Sequence, residues 1–262
     1  MIETPSRRSV LTAAGVGFLG AALLPPSRAR ATAEDPREHF FDVEGAFNIR
    51  DIGWYTNRQG RAIKRGRIWR GSYLAHVTDT GLTQLATLGL AWDVNLLSNR
   101  ELAGGRVDRL PPGVQLFSAP IGDDAANPMP PEIDTQNPDP YVLNEFREYV
   151  TSAQARQSLG ATLRKIAATG STPLYVHCNS GTYRTGYLIA LLMHLLDVPR
   201  AKINEEFLLS NLTFGVTYAW TEYLDAAVEQ AKTSFGSFRG YLCTGLGIDA
   251  PTVAALRSRL LT

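Results

Sequence analysis

Cysteine is scarce: among 262 residues only Cys178 and Cys243 are cysteines, so at most one disulfide can form, and forming it would consume Cys178. There is no apolar run long enough for a comfortable membrane span, which takes about 20 residues. Internal repeats and low-complexity segments are absent. Charge of one sign is not in surplus either, with 26 Lys and Arg against 25 Asp and Glu. A chain so balanced carries no nucleic-acid footprint and no strong global field, so any anion it binds must be recognised by a local site.

What is present is the composition of an ordinary globular protein, 44% hydrophobic and 19% charged, long enough to bury a substantial core. The first segment stands apart. Ser6-Arg7-Arg8-Ser9-Val10-Leu11 opens an uncharged run of fifteen residues from Val10 to Leu24, and Ala31-Thr32-Ala33 supplies a small-x-small cleavage pattern. Residues 1–33 therefore read as a twin-arginine signal peptide cut after Ala33, and residues 34–262 as a single domain exported to the periplasm or beyond, with no stable membrane span after cleavage. Cleavage takes away four basic residues and one acidic one, leaving 22 against 24. That route delivers folded protein to a compartment where disulfides persist. Even so, Cys243, in Phe238-Arg239-Gly240-Tyr241-Leu242-Cys243, is expected as a small buried hydrophobe rather than a partner for Cys178.

Along the domain, the turn-rich Tyr55 to Gly60 followed by Arg67 to Arg70 suggests a hairpin or short strands. Thr78 or Asp79 can cap a helix carrying Leu82, Leu85 and Leu88, and Ala91 to Leu97 reads as a buried strand. Residues 119–140 hold six of the fifteen prolines, which makes this stretch a loop of the length that lids use. A helix from about Asp139 to Ala167, broken near Thr151 to Ala153, precedes the core strand Pro173 to His177; an apolar helix from Thr185 to Leu196 and helices near 200–210, 217–232 and 250–261 complete the chain. The fold class is α/β, a short, largely parallel sheet flanked by helices, with a helical C-terminal extension.

Between that core strand and the apolar helix lies His177-Cys178-Asn179-Ser180-Gly181-Thr182-Tyr183-Arg184-Thr185-Gly186. The inward amides of a tight loop and the positive end of the following helix form a nest for a tetrahedral dianion. Gly181 lets the backbone turn, and Arg184 offers a planar fork to two phosphoryl oxygens. A cysteine at a helix N-terminus beside an arginine is favoured as thiolate. Cys178 is then the nucleophile, a cysteinyl-phosphate the intermediate, and Thr185 a hydrogen-bond donor to the sulfur. Asn179, Ser180, Gly181, Thr182, Tyr183 and Arg184 form the binding loop, and His177 is expected to support it from behind. Nothing in this chemistry asks for a metal or a cofactor.

The sequence resembles the atypical bacterial protein-tyrosine phosphatases, a group with secreted members acting on phosphotyrosine, phosphoserine/threonine and in some cases phosphoinositides. The likeness rests on the loop, on Asn48-Ile49-Arg50-Asp51-Ile52-Gly53, on Gly66 to Ser72, on Ser98-Asn99-Arg100-Glu101, on Glu205 to Asn211 and on the stretch from Phe235 to Leu261, and covers about residues 40–262. It implies a phosphatase-like fold, a phosphorylated protein or small molecule as substrate, and Arg50 and Asp51 beside the bound phosphate. Two departures stand out. Thr182 and Tyr183 occupy the positions of the family's Lys and Asp, the latter taken there as the acid that protonates the leaving group, and Asn95 and Leu97 replace an Asp and an Arg.

Without that acid, release of a phenoxide such as tyrosine's stays feasible while release of an alkoxide becomes hard. Aryl phosphates are therefore the expected substrates. Asp123 and Asp124, in the proline-rich loop, are candidate replacement acids, Asp51 another, and Tyr183 either an acid or a wall of the pocket. Two competing readings keep the anion cradle: a pseudophosphatase that binds phosphorylated ligands without turnover, and an enzyme of this fold turned to another small anionic metabolite.

Overall fold

The computed structural model describes residues 35–262 apart from 124–129, 131, 170 and 171. The expected signal peptide, residues 1–33, lies outside the described residues. A five-stranded sheet runs in the order β1-β2-β5-β3-β4, formed by β1 (Arg50–Asp51), β2 (Ile68–Gly71), β3 (Trp92–Asn95), β4 (Gln115–Ser118) and β5 (Leu174–His177). Only β1 is antiparallel to its neighbour; β2, β5, β3 and β4 are mutually parallel. The largely parallel α/β class expected from the sequence is what forms.

The central strand is buried on both faces, the usual position of a parallel strand. Leu174 and Val176 enter the large core with α3 (Pro140–Thr151), α4 (Ala153–Thr169), α5 (Tyr183–Leu195), α8 (Thr221–Phe235) and α10 (Ala250–Leu260). Tyr175 points the other way, into a smaller cluster with Ile49, Leu74, Val77 and Leu85, the last on α1 (Asp79–Ala86). A period of two thus sends alternate residues of β5 to different cores and leaves His177 on the Tyr175 side, its ring 5.6 Å from the tyrosine's.

Helix ends follow local chemistry. The Thr78 side chain accepts from Gly81 N–H to start α1, Asp139 caps α3 ahead of Pro140, and Asp249 caps α10 ahead of Pro251. The break between α3 and α4 falls at Ser152, extended at φ −66°, ψ 128°. The expected helix at 200–210 is split into α6 (Arg200–Leu208) and α7 (Ser210–Phe214), which ends at the left-handed Gly215. Sequence patterning does not reveal β4, whose residues are mostly exposed at the sheet edge, or the five-residue α2 (Asn99–Ala103). Among the described residues no helix is long and apolar enough to cross a membrane.

Cys243 departs from expectation. After α9 (Phe238–Gly240) the backbone widens into a π-turn over Tyr241–Gly245, in which Tyr241 and Leu242 take the buried side. That winding turns Cys243 outward, exposed and unbridged, while Cys178 is free and buried.

Candidate active site

Cys178 follows β5 at its carboxyl end, with β2 and β3 on either side, so the loop opens where parallel α/β sheets bind ligands. Four successive carbonyls are tied away from the loop's interior. The His177 Nδ1 lies 3.2 Å from Cys178 O, Tyr73 N–H donates to Asn179 O at 3.1 Å, Asn48 Nδ2 donates to Ser180 O at 2.9 Å, and the Arg70 guanidinium donates to Gly181 O. In a planar peptide the N–H points opposite its carbonyl. The amides of Asn179, Ser180 and Gly181 are thus turned toward the concave side, as an anion nest requires, while Thr182 N–H donates to Ser180 Oγ at 3.3 Å. Gly181 sits at φ +72°, and a Cβ there would run into the carbonyl of Gly71. At the start of α5, Thr182 makes no side-chain cap, which leaves the helix N-terminus available to an anion.

Arg184 is gripped from α2. Its NH1 and NH2 donate to the two oxygens of Glu101 at 2.6 and 2.9 Å, and NH1 also reaches Leu96 O and Ile121 O at 3.3 and 3.2 Å. Glu101 is placed by a capping box with Ser98. Burial would raise the Glu101 carboxyl, but the Arg184 guanidinium and the Ser98 donors outweigh it and hold the carboxyl at about 2. The fork therefore faces a fixed negative partner on one side and a cavity of about 370 Å³ on the other, lined by Cys178, Asn179, Ser180, Tyr183 and Arg184 together with Arg100, Arg106, Tyr141 and Glu145.

Behind the loop, His177 Nε2 lies 3.3 Å from Asp93 Oδ1 and 3.2 Å from Asp108 Oδ2, within ion-pairing range though off the line of a strong hydrogen bond. Burial disfavours the imidazolium, but Asp93 and Asp108 outweigh it and raise the His177 pKa well above its ordinary value. A charged ring donates from both nitrogens. His177 therefore pins the Cys178 carbonyl, the supporting role its sequence position suggested.

Several residues expected at the site are placed elsewhere. Arg50 is wholly buried, its Nε 2.8 Å from Glu206 Oε1 and its NH1 2.5 Å from Asn48 Oδ1, so it braces the loop's support instead of meeting substrate. Asp51 spends its carboxylate on Gly53 N–H at 2.9 Å and Gly66 N–H at 2.6 Å, holding a turn rather than pairing with Arg50 or serving as acid. Thr185 is buried and its Oγ1 makes no hydrogen bond, so the expected contact with the sulfur is not made here. Asp123 is exposed, with Oδ2 accepting from Asn99 Nδ2 at 2.6 Å and Gln154 Nε2 at 3.0 Å, and it does not line the cavity. Asp124 lies outside the described residues. Tyr183 does line the cavity, but its hydroxyl donates to Tyr218 O at 3.3 Å and burial pushes its pKa up, which makes it a wall and not an acid.

The motifs quoted for the resemblance turn out to be the loop's scaffold. Asn48, in the left-handed region at φ 59°, holds Ser180 O; Arg70 holds Gly181 O; Glu101 holds Arg184; and Glu206 joins Arg50 to Arg70. Glu145, Tyr141 and Arg106 are cavity residues that sequence reasoning missed. The spacing of Tyr141 and Glu145, one helical turn apart behind the Asp139-Pro140 start, was the available signal.

An amide nest closed by a clamped arginine is equipment for phosphoric monoester hydrolysis, and sequence comparison defines the same class. The model of the tyrosine phosphatase family matches residues 41–262, and the chain belongs to that family. It is 27% identical over 278 residues to the triple specificity protein phosphatase PtpB of Mycobacterium tuberculosis, an alignment covering 84% of this chain and 98% of that one. A protein of Cupriavidus necator, whose name places it among the tyrosine-protein phosphatases, is 27% identical over 273 residues, covering 94% and 96%. Among solved structures, the core catalytic domain of the PP-IP phosphatase SIW14 from S. cerevisiae matches 63% of this chain and 80% of its own at 16% identity and a TM-score of 0.37.

The Glu101 grip carries a prediction. Glu101→Gln keeps the side chain's size but gives up the charge and one acceptor, so the fork of Arg184 can swing. Misplacing such a group by about 1 Å costs on the order of 10²-fold. Phosphatase kcat/KM is expected to fall by that factor, with rescue by neither higher enzyme nor substrate concentration, as read from steady-state kinetics; an unchanged value would show that Arg184 is held by Leu96 and Ile121 alone.

Proposed function

We propose that the protein hydrolyses aryl phosphomonoesters, phosphotyrosine above all, by attack of the Cys178 thiolate on phosphorus. The observation that carries this is the common cavity: Cys178 sits at its wall together with Arg184, beside a loop whose carbonyls at residues 178–181 are tied to outside partners. The Sγ lone pair forms the S–P bond as the P–O bond to the leaving group breaks. Arg184 and the loop amides meet the charge on the three peripheral oxygens. Water then attacks the cysteinyl-phosphate, releasing phosphate and the thiolate.

Two features support the aryl preference. A second groove of about 500 Å³ shares Asn179, Ser180 and Tyr183 with the first and is walled by Ile133, Phe214 and Tyr218, apolar and aromatic surface suited to a ring. Thr182 and Tyr183 also leave the loop without the family's lysine, and with it a point charge for a second phosphate. Phosphotyrosine and phosphoserine in the same peptide sequence should differ in kcat/KM by about 10²-fold or more, since a phenoxide is a much less basic leaving group than an alkoxide and only the phenol carries a ring for the groove. Equal rates would sink the preference while leaving the phosphatase intact.

A further inference from the structure

The loop has lost the carboxylate that its family uses as acid, Asp51 and Asp123 are engaged elsewhere, and the Tyr183 hydroxyl is committed to Tyr218 O. A different carboxyl lines the cavity of the reacting groups. Glu145 is on α3, in a chain segment far from the loop, and it lines the cavity that holds Cys178 and Arg184. The helix brings it there: Tyr141 and Glu145, four residues apart, face the cavity, while Val142, Phe146, Tyr149 and Val150 anchor the other side of the helix in the core.

The carboxyl group is fixed and half committed. Tyr149 OH donates to Glu145 Oε1 at 2.6 Å, whereas Oε2 accepts no hydrogen bond from the described residues. We propose that Glu145 is the general acid of the first step and the general base of the second. This rests on the reading that Cys178 attacks phosphorus. As the P–O bond breaks, its electron pair goes to the leaving oxygen, which takes the proton of the Glu145 carboxyl. The carboxylate so formed then takes a proton from the water that attacks phosphorus, the S–P bond breaks, and its electrons return to Cys178 as thiolate. Phosphomonoester and water become alcohol and phosphate, with Glu145 protonated again.

The surroundings favour the protonated form of Glu145 relative to a free carboxyl. Burial raises the Glu145 pKa; Arg184 from α5 and the Tyr149 hydroxyl oppose the rise, and Glu101 from α2 and Glu148 on α3 add to it. The other charged or titratable groups of the same cavity are Arg100, Arg106, Cys178, Tyr141 and Tyr183.

Glu145→Gln keeps the shape and the bond from Tyr149 but carries no transferable proton. The probes are phenyl phosphate, whose leaving group needs the proton, and p-nitrophenyl phosphate, whose leaving group does not. With phenyl phosphate, kcat should fall by roughly 10²- to 10³-fold, and the basic limb of its pH profile should vanish, because an acid that must be protonated is lost as pH rises. With p-nitrophenyl phosphate the variant should give a burst of nitrophenol equal to the enzyme present, followed by slow turnover, since expulsion survives and only the water step lacks its base. Tyr149→Phe should move the wild-type basic limb to higher pH, because the bond it removes favours the ionised form.

Equal losses on both substrates, with no burst and the basic limb retained, would overturn the proposal and make Glu145 a prop for Arg184. So would a variant as fast as the wild type. A wild type that releases no nitrophenol at all would instead strike the phosphatase reading, and the Glu145 proposal would fall with it.

Discussion

Cys178→Ser is expected to lower kcat/KM for an aryl phosphate by at least roughly 10⁴-fold, the scale on which removal of a hydrolase nucleophile acts. The substitution is nearly isosteric, so the loss is chemical. A serine hydroxyl needs a base to become a nucleophile. Of the bases nearby, His177 turns its Nδ1 to a backbone carbonyl and its Nε2 to Asp93 and Asp108, and neither nitrogen is offered to the loop interior. The binding apparatus stays: the carbonyls of residues 179–181 remain tied outward and Arg184 remains clamped by Glu101. The variant should therefore still bind an aryl phosphate, within a few-fold of the wild-type affinity, while releasing no phosphate. Acid quench of the wild type during turnover should show a phosphorylated Cys178 peptide by mass spectrometry, absent from the variant. Retention of more than a tenth of the rate would rule out Cys178 as the nucleophile.

The loop itself was legible because its chemistry is local: a strand, a cysteine, a glycine at positive φ and an arginine in the first turn of a helix are contiguous in the chain. The core elements were legible for the same reason, since apolar periodicity and caps such as Thr78, Asp139 and Asp249 act over a few residues. What could not be read was which distant residues close on the loop. Glu101 comes from a five-residue helix too short to announce itself, and Glu145 from a helix whose sequence shows only amphipathicity. Arg50 and Asp51 show the converse error. Two charged residues in a shared motif suggested contact with an anion, yet both are spent internally, one on Glu206 and one on backbone amides. Charge in a motif reveals that a partner exists, not that the partner is the substrate.

Glu206→Ala is expected to destabilise the protein by about 3–5 kcal/mol, the cost of leaving buried charge without its counterion. The carboxylate joins two arginines: Oε1 lies 2.8 Å from Arg50 Nε and Oε2 2.6 Å from Arg70 NH1, and all three side chains are essentially excluded from solvent. Burial alone would raise the Glu206 pKa, but Arg50 and Arg70 outweigh it and hold it below its ordinary value. Conversely, burial and then Arg50 lower the Arg70 pKa, to about 10, against the pull of Glu206. Removing Glu206 leaves two like charges facing each other in the core. For a chain of this size the loss corresponds to a fall in Tm of roughly 6–20 °C. Because the folded carboxyl titrates below its unfolded value, its contribution is complete above the ordinary carboxylate range and is lost progressively as pH falls from that range through the lower folded value. The wild-type advantage over the variant should shrink in acid. A triple replacement, Arg50→Met, Arg70→Met and Glu206→Leu, separates stability from function. Apolar side chains of similar volume can recover much of the stability, but Gly181 O loses the guanidinium that turns it outward and Ser180 O loses the Arg50 brace on Asn48. Such a protein should melt closer to the wild type and still hydrolyse aryl phosphates at least tenfold more slowly, with the loss in kcat/KM exceeding any change in secondary structure seen by circular dichroism. Full activity in the restored fold would mean that the loop holds its own shape, and that the buried arginines serve stability alone.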